Sequence, residues 1–259
     1  METGEKAPEE TYFEFLADMG ITKHLGSLRA TAELVELCHV GEGTYLLDVG
    51  CGVGATPCYL AKKYNCRVLG VDLLEKMIEQ SRERARETGV EDRVEFRVAD
   101  ARDLPFDDNL FDAVIVESVN VFFKDKSRAM AEYVRVTKPG GYIGITEMTW
   151  LDTPTPEQAA YYKETVYADT LQADDWRELL ESAGLKDVVA NAYEMDIPAE
   201  SKDRINRYGC RGIITAMFNA LSIMFRDSSS REFMKKVYSS VPKDMLGNMG
   251  YGVYAGRKA

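Results

Sequence analysis

The feature that most constrains this chain is the regular alternation of short apolar runs and helical segments between residues 45 and 148. Apolar runs of five to seven residues, each followed by a segment with helical spacing, are typical of parallel strands buried on both faces. The pattern therefore predicts an α/β fold with a doubly wound sheet. The predicted strands are Tyr45–Val49, Arg67–Val71, Val94–Val98, Asp112–Glu117 and Tyr142–Met148, and the helices between them lie near Thr56–Tyr64, Leu74–Thr88 and Lys126–Val136.

The flanking sequence is mostly helical. Helical spacing is also found in Tyr12–Met19 and Ser27–Cys38, and again through most of residues 199–247. Two more apolar runs, Lys186–Met195 and Gly250–Arg257, predict a sixth and a closing strand. We therefore expect a seven-stranded sheet with an N-terminal helical segment and a helical insertion before the last strand.

Composition excludes several classes of function. The 259 residues include 43 acidic and 32 basic residues, a formal charge of −11, so the chain has no general attraction for nucleic acid. Five cysteines, an odd number without a CxxC pair, and two histidines indicate a reducing compartment without a disulfide framework or a metal site. The longest apolar run, Gly212–Phe225, is too short to span a bilayer, and the N-terminus has no secretory signal pattern. A cytoplasmic location without membrane insertion is expected.

A glycine-rich turn and three acidic residues point to a ligand site. Gly50, Gly52 and Gly54 lie between the first strand and the following helix, where backbone without side chains can approach a ligand closely. Asp48, Asp72 and Asp100 mark the ends of the first three strands. The carboxyl ends of parallel strands border the crevice in which open α/β sheets bind ligands, and an acidic residue after the second strand suits ribose hydroxyls.

Taken together, these segments resemble the class I S-adenosylmethionine-dependent methyltransferases, and within them the "type 11" branch that includes the ubiquinone and menaquinone methyltransferases. The resemblance covers about two-fifths of the chain and implies a Rossmann-like sheet whose last strand is antiparallel. It rests on LLDVGCGVG, VLGVDLLEKMI, VEFRVADARDLPFDDNLFDAVIVE and RVTKPGGYIGITE.

The resemblance implies S-adenosylmethionine as cofactor, S-adenosylhomocysteine as product and a small molecule as methyl acceptor. Asp48 and the glycine backbone would face the methionine end, Asp72 the ribose, and Asp100 the adenine edge. The segment Leu25–Thr31 resembles the part that closes over the cofactor's carboxylate, with Arg29 as an additional partner. The full implied set is Gly26, Asp48, Gly50, Cys51, Gly52, Gly54, Asp72, Leu73, Met77, Asp100, Ala101, Glu117 and Ser118.

Methyl transfer requires mainly that donor and acceptor are aligned and that water is excluded. A general base is needed only where the acceptor atom carries a proton that must leave. The sequence leaves the base open among Glu117, Glu147, Tyr161, Tyr162 and His24.

The implied domain organisation is a single methyltransferase domain over residues 1–259. Its parts are an N-terminal helical cover (1–41), a cofactor-binding core (42–150), an αβ completion (151–198), a helical insertion that covers the acceptor (199–248) and the last strand (249–259).

Several alternatives stay open at this stage. The chain is either an active enzyme for a small molecule or for a lipid-like quinone or isoprenoid acceptor, or a non-catalytic module that binds S-adenosylmethionine. The G-x-G-x-G spacing disfavours nicotinamide-dependent chemistry, and only Cys210 fits an arsenite methyltransferase. The Met- and Phe-rich segment Ile213–Phe225 has three interpretations, namely core packing, contact with a second subunit in a homodimer, and contact with a membrane surface.

Overall fold

The computed structural model describes residues 13–15, 17–18, 20 and 25–259. Within these ranges, the description leaves out the side chains of Arg207, Arg211, Ser229, Phe233, Tyr238 and Leu246. All structural statements below concern this part of the chain.

One mixed sheet forms the centre of the fold. Its strands run in the order β3-β2-β1-β4-β5-β8-β7, and only β8 is antiparallel to its neighbours. A two-residue strand, β6, pairs in parallel with the end of β5. The strands are β1 (Tyr45–Val49), β2 (Arg67–Asp72), β3 (Val94–Val98), β4 (Phe111–Glu117), β5 (Thr137–Trp150), β6 (Leu171–Gln172), β7 (Lys186–Glu194) and β8 (Met249–Arg257).

Helices cover both faces of the sheet. One face packs against α1, α2 and α3, and the other against α4 and α6, so the central strands are buried on both sides. The helices are α1 (Ser27–Leu37), α2 (Ala55–Tyr64), α3 (Glu75–Thr88), α4 (Lys126–Val136), α5 (Pro156–Tyr161), α6 (Ala173–Ser182), α7 (Ile197–Arg226) and α8 (Ser228–Ser239). Short 3₁₀ turns occupy Asn120–Phe122 and Met245–Gly247, and a π-helical turn occupies Tyr162–Val166.

A long broken helix precedes the last strand. Within α7 the backbone leaves helical geometry at Gly209, with φ 68° and ψ 163°, a region that essentially only glycine occupies. The first half of α7 contacts α1 through Glu200 and Asp203, and Arg231 of α8 donates to the last carbonyl groups of α7. Within the described residues, no helix is both long enough and apolar enough to cross a membrane.

The predicted fold class is confirmed. The seven predicted strands are present in a doubly wound sheet with the last strand antiparallel. The sequence did not indicate β6, because a two-residue pairing leaves no periodic signal. The predicted helix Tyr12–Met19 lies only partly within the described residues, where Phe13–Phe15 are helical.

The packing of α1 on the sheet generates a test at Gly144 in β5. A methyl group added there would lie 2.5 Å from Cys38 Sγ and 2.7 Å from Leu34 Cδ1. We expect Gly144→Ala to lower the free energy of unfolding in urea by about 1–3 kcal/mol, because overpacking displaces α1. Gly41→Ala is the matched control, since no atom of the described residues lies within 4 Å of its added methyl group. Equal stability of the two variants would contradict this account of the interface.

Candidate functional site

The candidate site begins at the turn between β1 and α2. The backbone N–H groups of Gly50 and Cys51 both donate to Val71 O, at 2.8 and 2.9 Å, which fastens the turn to the end of β2. Gly50, Gly52 and Gly54 all have positive φ values of 53° to 74°. Side-chain-bearing residues seldom adopt that conformation, so the glycines are required for the turn itself.

Space at this turn is as restricted as its conformation. A Cβ atom at Gly50 would overlap the side chain of Val119, and one at Gly54 would lie 2.9 Å from Ser81 Cβ. Ser81 also donates through Oγ to Gly52 O at 2.8 Å. The loop after β4 and helix α3 thus meet the turn directly, which brings the ends of β1, β2 and β4 together.

Asp72 lies at the end of β2, beside this turn. Its Oδ2 accepts from Gly52 N at 3.0 Å and its Oδ1 accepts from Leu74 N at 3.0 Å. Partial burial raises the pKa of this carboxyl group, and the two backbone bonds oppose that effect. A carboxylate has about four acceptor positions, so both oxygens retain lone pairs for the hydroxyl groups of a ligand.

The side chains around Asp72 include an apolar surface. Leu73 is 63% exposed directly after Asp72, whereas Met77, Ala101 and Cys51 are buried. Burial raises the pKa of the Cys51 thiol well above its ordinary value, so this thiol stays neutral and is no nucleophile. The exposed leucine next to a polar acceptor suits a ligand with a flat apolar ring and adjoining hydroxyl groups.

Asp100 occupies the predicted place after β3, but its carboxylate is engaged locally. Arg102 Nη2 donates to Oδ2 at 2.7 Å, and Arg102 Nε and backbone N both donate to Oδ1 at 2.9 Å. This charged hydrogen bonding lowers the pKa of Asp100. An adenine amino group at this position would share the carboxylate with Arg102.

Two buried acidic residues face the same side of the sheet. Asp48 on β1 pairs in register with Ile115 on β4, so Asp48 and Glu117 are near neighbours on one face. Glu117 Oε1 accepts from Thr31 Oγ1 at 2.8 Å, and Oε2 accepts from Thr56 Oγ1 at 2.7 Å. Glu117 therefore joins β4 to both α1 and α2 beneath the turn.

Glu147, on β5, holds the loop that follows β4. Its Oε1 accepts from Val119 N, Asn120 N and Asn120 Nδ2 at 3.0, 2.7 and 2.9 Å. Asn120 Oδ1 in turn accepts from Tyr133 OH at 3.1 Å, and all three of these side chains are completely buried. Within the described part of the chain, Glu147 Oε2 has no hydrogen-bond partner. Burial raises the pKa of Glu147 to about 7.

Ser118 is the first residue of that loop and adopts a left-handed conformation, with φ 60°. Its N–H donates to Thr146 O at 2.7 Å, and its Oγ accepts from Leu25 N at 3.4 Å. Ser118 therefore lies where the segment before α1 meets the end of β4.

The start of α1 is held by the first half of α7. Gly26 N donates to Glu200 Oε1 at 2.8 Å, and Ser27 Oγ donates to Asp203 Oδ2 at 2.6 Å. The guanidinium of Arg29 lies over the ring of Tyr193, 5.6 Å from its centre. One acceptor from α7, the Glu200 carboxylate, thus already engages the Gly26 backbone that the resemblance assigns to the cofactor's carboxylate.

The remaining candidates for the general base are Tyr161, Tyr162 and His24. Tyr161 OH donates to Val237 O at 2.9 Å, and the buried Tyr162 donates to the sulfur of Met249. His24 lies outside the described residues.

Sequence reasoning missed three of the residues that organise the site. Thr31 and Thr56 hold Glu117, and Asn120 links Glu147 to Tyr133. No periodic signal marks such partners, because they are 27 to 86 residues away from the acids that they contact. The one signal that could have revealed Asn120 is its polarity within the otherwise apolar run Val119–Phe123, which is typical of a buried hydrogen-bonding residue.

Glu147 generates a prediction about stability and pH. The raised pKa of Glu147, about 7 against an ordinary 4.5, means that the folded protein favours the neutral acid. The free energy of unfolding should therefore fall as pH rises from about 4.5 to about 7, by about 3 kcal/mol from this group. Glu147→Gln keeps an acceptor oxygen but loses the charge. We expect this variant to gain stability relative to the native chain between about pH 5 and about pH 8.

The measurement is urea unfolding of both proteins at the two pH values, with the exposed Glu178→Gln as control. A difference between Glu147→Gln and the native chain that stays the same at both pH values would show that Glu147 is ionised throughout.

Comparisons with known proteins agree with this geometry. Residues 47–145, which contain the glycine turn and strands β2 to β4, match the family model described as "Methyltransferase domain". The chain is 34% identical over 161 residues to the methyltransferase GfsG of Streptomyces halstedii. That alignment covers 61% of this chain and 58% of GfsG, so the chain spans less than two thirds of that relative.

Solved structures share the whole fold. The [4+2]-cyclase SpnF superposes with a TM-score of 0.74 at 22% identity, over 96% of this chain and 94% of SpnF. An S-adenosylmethionine-dependent methyltransferase from Geobacter sulfurreducens, in complex with S-adenosylhomocysteine, superposes with a TM-score of 0.72 at 21% identity, over 96% and 98% of the two chains. Residues 47–145 thus match a methyltransferase domain, and the chain shares the fold of a solved S-adenosylmethionine-dependent methyltransferase over nearly its whole length.

Proposed function

We propose that this protein is an enzyme that transfers a methyl group from S-adenosylmethionine to a small-molecule acceptor. The observation that carries the proposal is the Asp72 carboxylate, fixed by two backbone N–H groups at the mouth of the three-glycine turn and followed by the exposed Leu73. This arrangement fits a nucleoside, because the ribose hydroxyls meet a charged acceptor and the adenine ring meets an apolar surface.

The residues of the site have separate roles under this proposal. Asp72 accepts hydrogen bonds from the ribose, and Leu73 and Met77 flank the adenine. Asp100 and Ala101 bind the adenine edge, with Asp100 shared between the ligand and Arg102. The turn, comprising Gly50, Cys51, Gly52 and Gly54, together with Asp48 and Gly26, faces the methionine portion. Glu117 and Ser118 lie nearest the methyl group.

When bound, the donor supplies a methyl group activated by its sulfonium charge. The chain's own residues orient the two reactants and exclude water, which accounts for most of the acceleration expected in such a site. Glu147 contributes by fixing Val119 and Asn120, and thereby Ser118, at the end of β4. Where the acceptor atom loses a proton, Glu117 and Glu147 are the described carboxylates nearest the loop. The hydroxyls of Tyr161 and Tyr162 are the more distant candidates.

Helices α7 and α8 form the acceptor cover under this proposal, and the whole described chain works as one methyltransferase domain. Tyr208 of α7 packs beside Val53 and Met77. The Arg84 guanidinium lies 5.2 Å from the centre of the Tyr208 ring. These contacts support the proposal that the cover lies against the donor-binding side of the sheet. The branch related to quinone methyltransferases, a cytoplasmic location and a homodimer are further parts of the proposal.

The ribose contact is tested with Asp72→Ala. Loss of a charged acceptor for the ribose hydroxyls should weaken binding of S-adenosylmethionine by about 1–3 kcal/mol in isothermal titration calorimetry. Asp92→Ala, an exposed aspartate at the start of β3, is the matched control and should bind as the native chain does. Binding by Asp72→Ala within twofold of the native chain would remove Asp72 from the proposed site.

Catalysis itself is tested by turnover. Incubation of the protein with S-adenosylmethionine and a panel of amine, phenol, carboxylate and quinone acceptors should release S-adenosylhomocysteine and yield a methylated product by mass spectrometry. Saturable donor binding without turnover on any acceptor would favour the non-catalytic binding module. A neighbour of the same fold that is described as a cyclase shows that this fold alone does not select methyl transfer.

A further inference from the structure

The outer half of α7 presents large apolar side chains to solvent. We call Ile214, Met217, Phe218, Leu221 and Phe225 the outer apolar face. They are 53%, 62%, 67%, 52% and 83% exposed. Core packing therefore does not explain this part of the Met- and Phe-rich segment, contrary to the first of the three sequence interpretations.

The geometry of the helix makes this a continuous face. At 100° per residue, the five side chains fall within an arc of about 100°. Ala216 points to the opposite side and is 3% exposed. The helix thus rests on the protein through a small residue and directs its largest apolar residues outwards, which is the reverse of an ordinary surface helix. Contiguous exposed apolar surface of this kind marks an interaction site.

The segment that contains this face has a different charge from the rest of the chain. Residues 197–239 contain eight basic and four acidic residues, a net charge of +4, whereas the remainder of the chain carries −15. Three of the four acids are engaged within the chain. Glu200 and Asp203 accept from the start of α1, and Asp227 accepts from Ser230. Most of the basic side chains are exposed, namely Lys202, Arg204, Arg226, Arg231, Lys235 and Lys236.

We propose that the outer apolar face and the basic residues of α7 and α8 bind an anionic lipid surface. The apolar side chains enter the boundary between headgroups and acyl chains, and the exposed basic residues of α7 and α8 meet the lipid phosphates. A second copy of this chain fits less well, because pairing of the same face across a twofold axis would bring two basic cover regions together. An anionic lipid surface satisfies both properties of the region.

The experiment is flotation of the full chain with vesicles. The two compositions are phosphatidylcholine alone and phosphatidylcholine with about one third phosphatidylglycerol. We expect flotation with the anionic vesicles only, and release as the ionic strength rises. This readout requires no methyl donor, so it stands or falls separately from the proposed methyl transfer.

Two pairs of variants separate the contributions. Phe218→Ser with Phe225→Ser removes apolar contact, and Arg226→Glu with Lys235→Glu reverses two exposed charges. Each pair should reduce the vesicle-bound fraction by about tenfold or more. Arg86→Glu with Arg97→Glu is the matched control, because it makes the same change of net charge at exposed positions on α3 and β3. The control should float as the native chain does, and circular dichroism verifies the fold of every variant.

Three results would overturn the proposal. They are absence of flotation with anionic vesicles at low salt, equal flotation with both vesicle compositions, and an effect of the control pair as large as that of the cover pairs. Sedimentation velocity provides a fourth result that would overturn the proposal. A dimer that Phe218→Ser with Phe225→Ser dissociates, in a protein that does not float, would assign the face to a subunit interface instead.

Discussion

The crowding at the glycine turn is the constraint on which the rest of the site depends. Val119 and Ser81 leave no room for a side chain at Gly50 or Gly54, so the loop after β4 and helix α3 lie directly against the end of β1. This contact fixes where Asp72 sits relative to the turn. Buried acids then secure the surroundings, since Glu117 joins three elements and Glu147 holds the β4 loop. A preorganised site of this kind relies on packed, rigid elements rather than on loops that close later.

Most of the fold and the location of the candidate site follow from local patterns in the sequence. Short apolar runs predicted the strands. Because parallel strands bring their carboxyl ends to one edge of the sheet, the proximity of Asp72 to the glycine turn was also predictable. The contacts between distant residues were not. Glu117 meets Thr31 and Thr56 across 86 and 61 residues, and Glu200 meets Gly26 across 174. Such pairs leave no periodic trace. The pairing of Asp100 with Arg102 spans only two residues, yet the resemblance assigned Asp100 to the adenine edge and did not indicate this pair.

The cover helices show a different limit of sequence analysis. Spacing identified an apolar stripe in the segment Ile213–Phe225, but spacing does not say what the stripe faces. In the structure Ala216 packs inwards while Phe218 and Phe225 face solvent. The first half of α7 is attached to α1 through the α7 residues Glu200 and Asp203, and the second half is held by a hydrogen bond from Asn219 Nδ2 to Asp18 O at 3.2 Å. Tertiary attachment overrides the amphipathic pattern here.

The break at Gly209 couples two surfaces that otherwise have separate tasks. Before it, α7 is docked on α1, and after it the helix turns its aromatic side chains away from the sheet. Adding or removing one residue beyond the break would rotate the following part of α7 by about 100° about the helix axis. The side chain of Phe225 would then point in a different direction. The outer segment is therefore under a length constraint that its composition alone does not reveal. During evolution, this helix should therefore accept substitutions more readily than insertions or deletions.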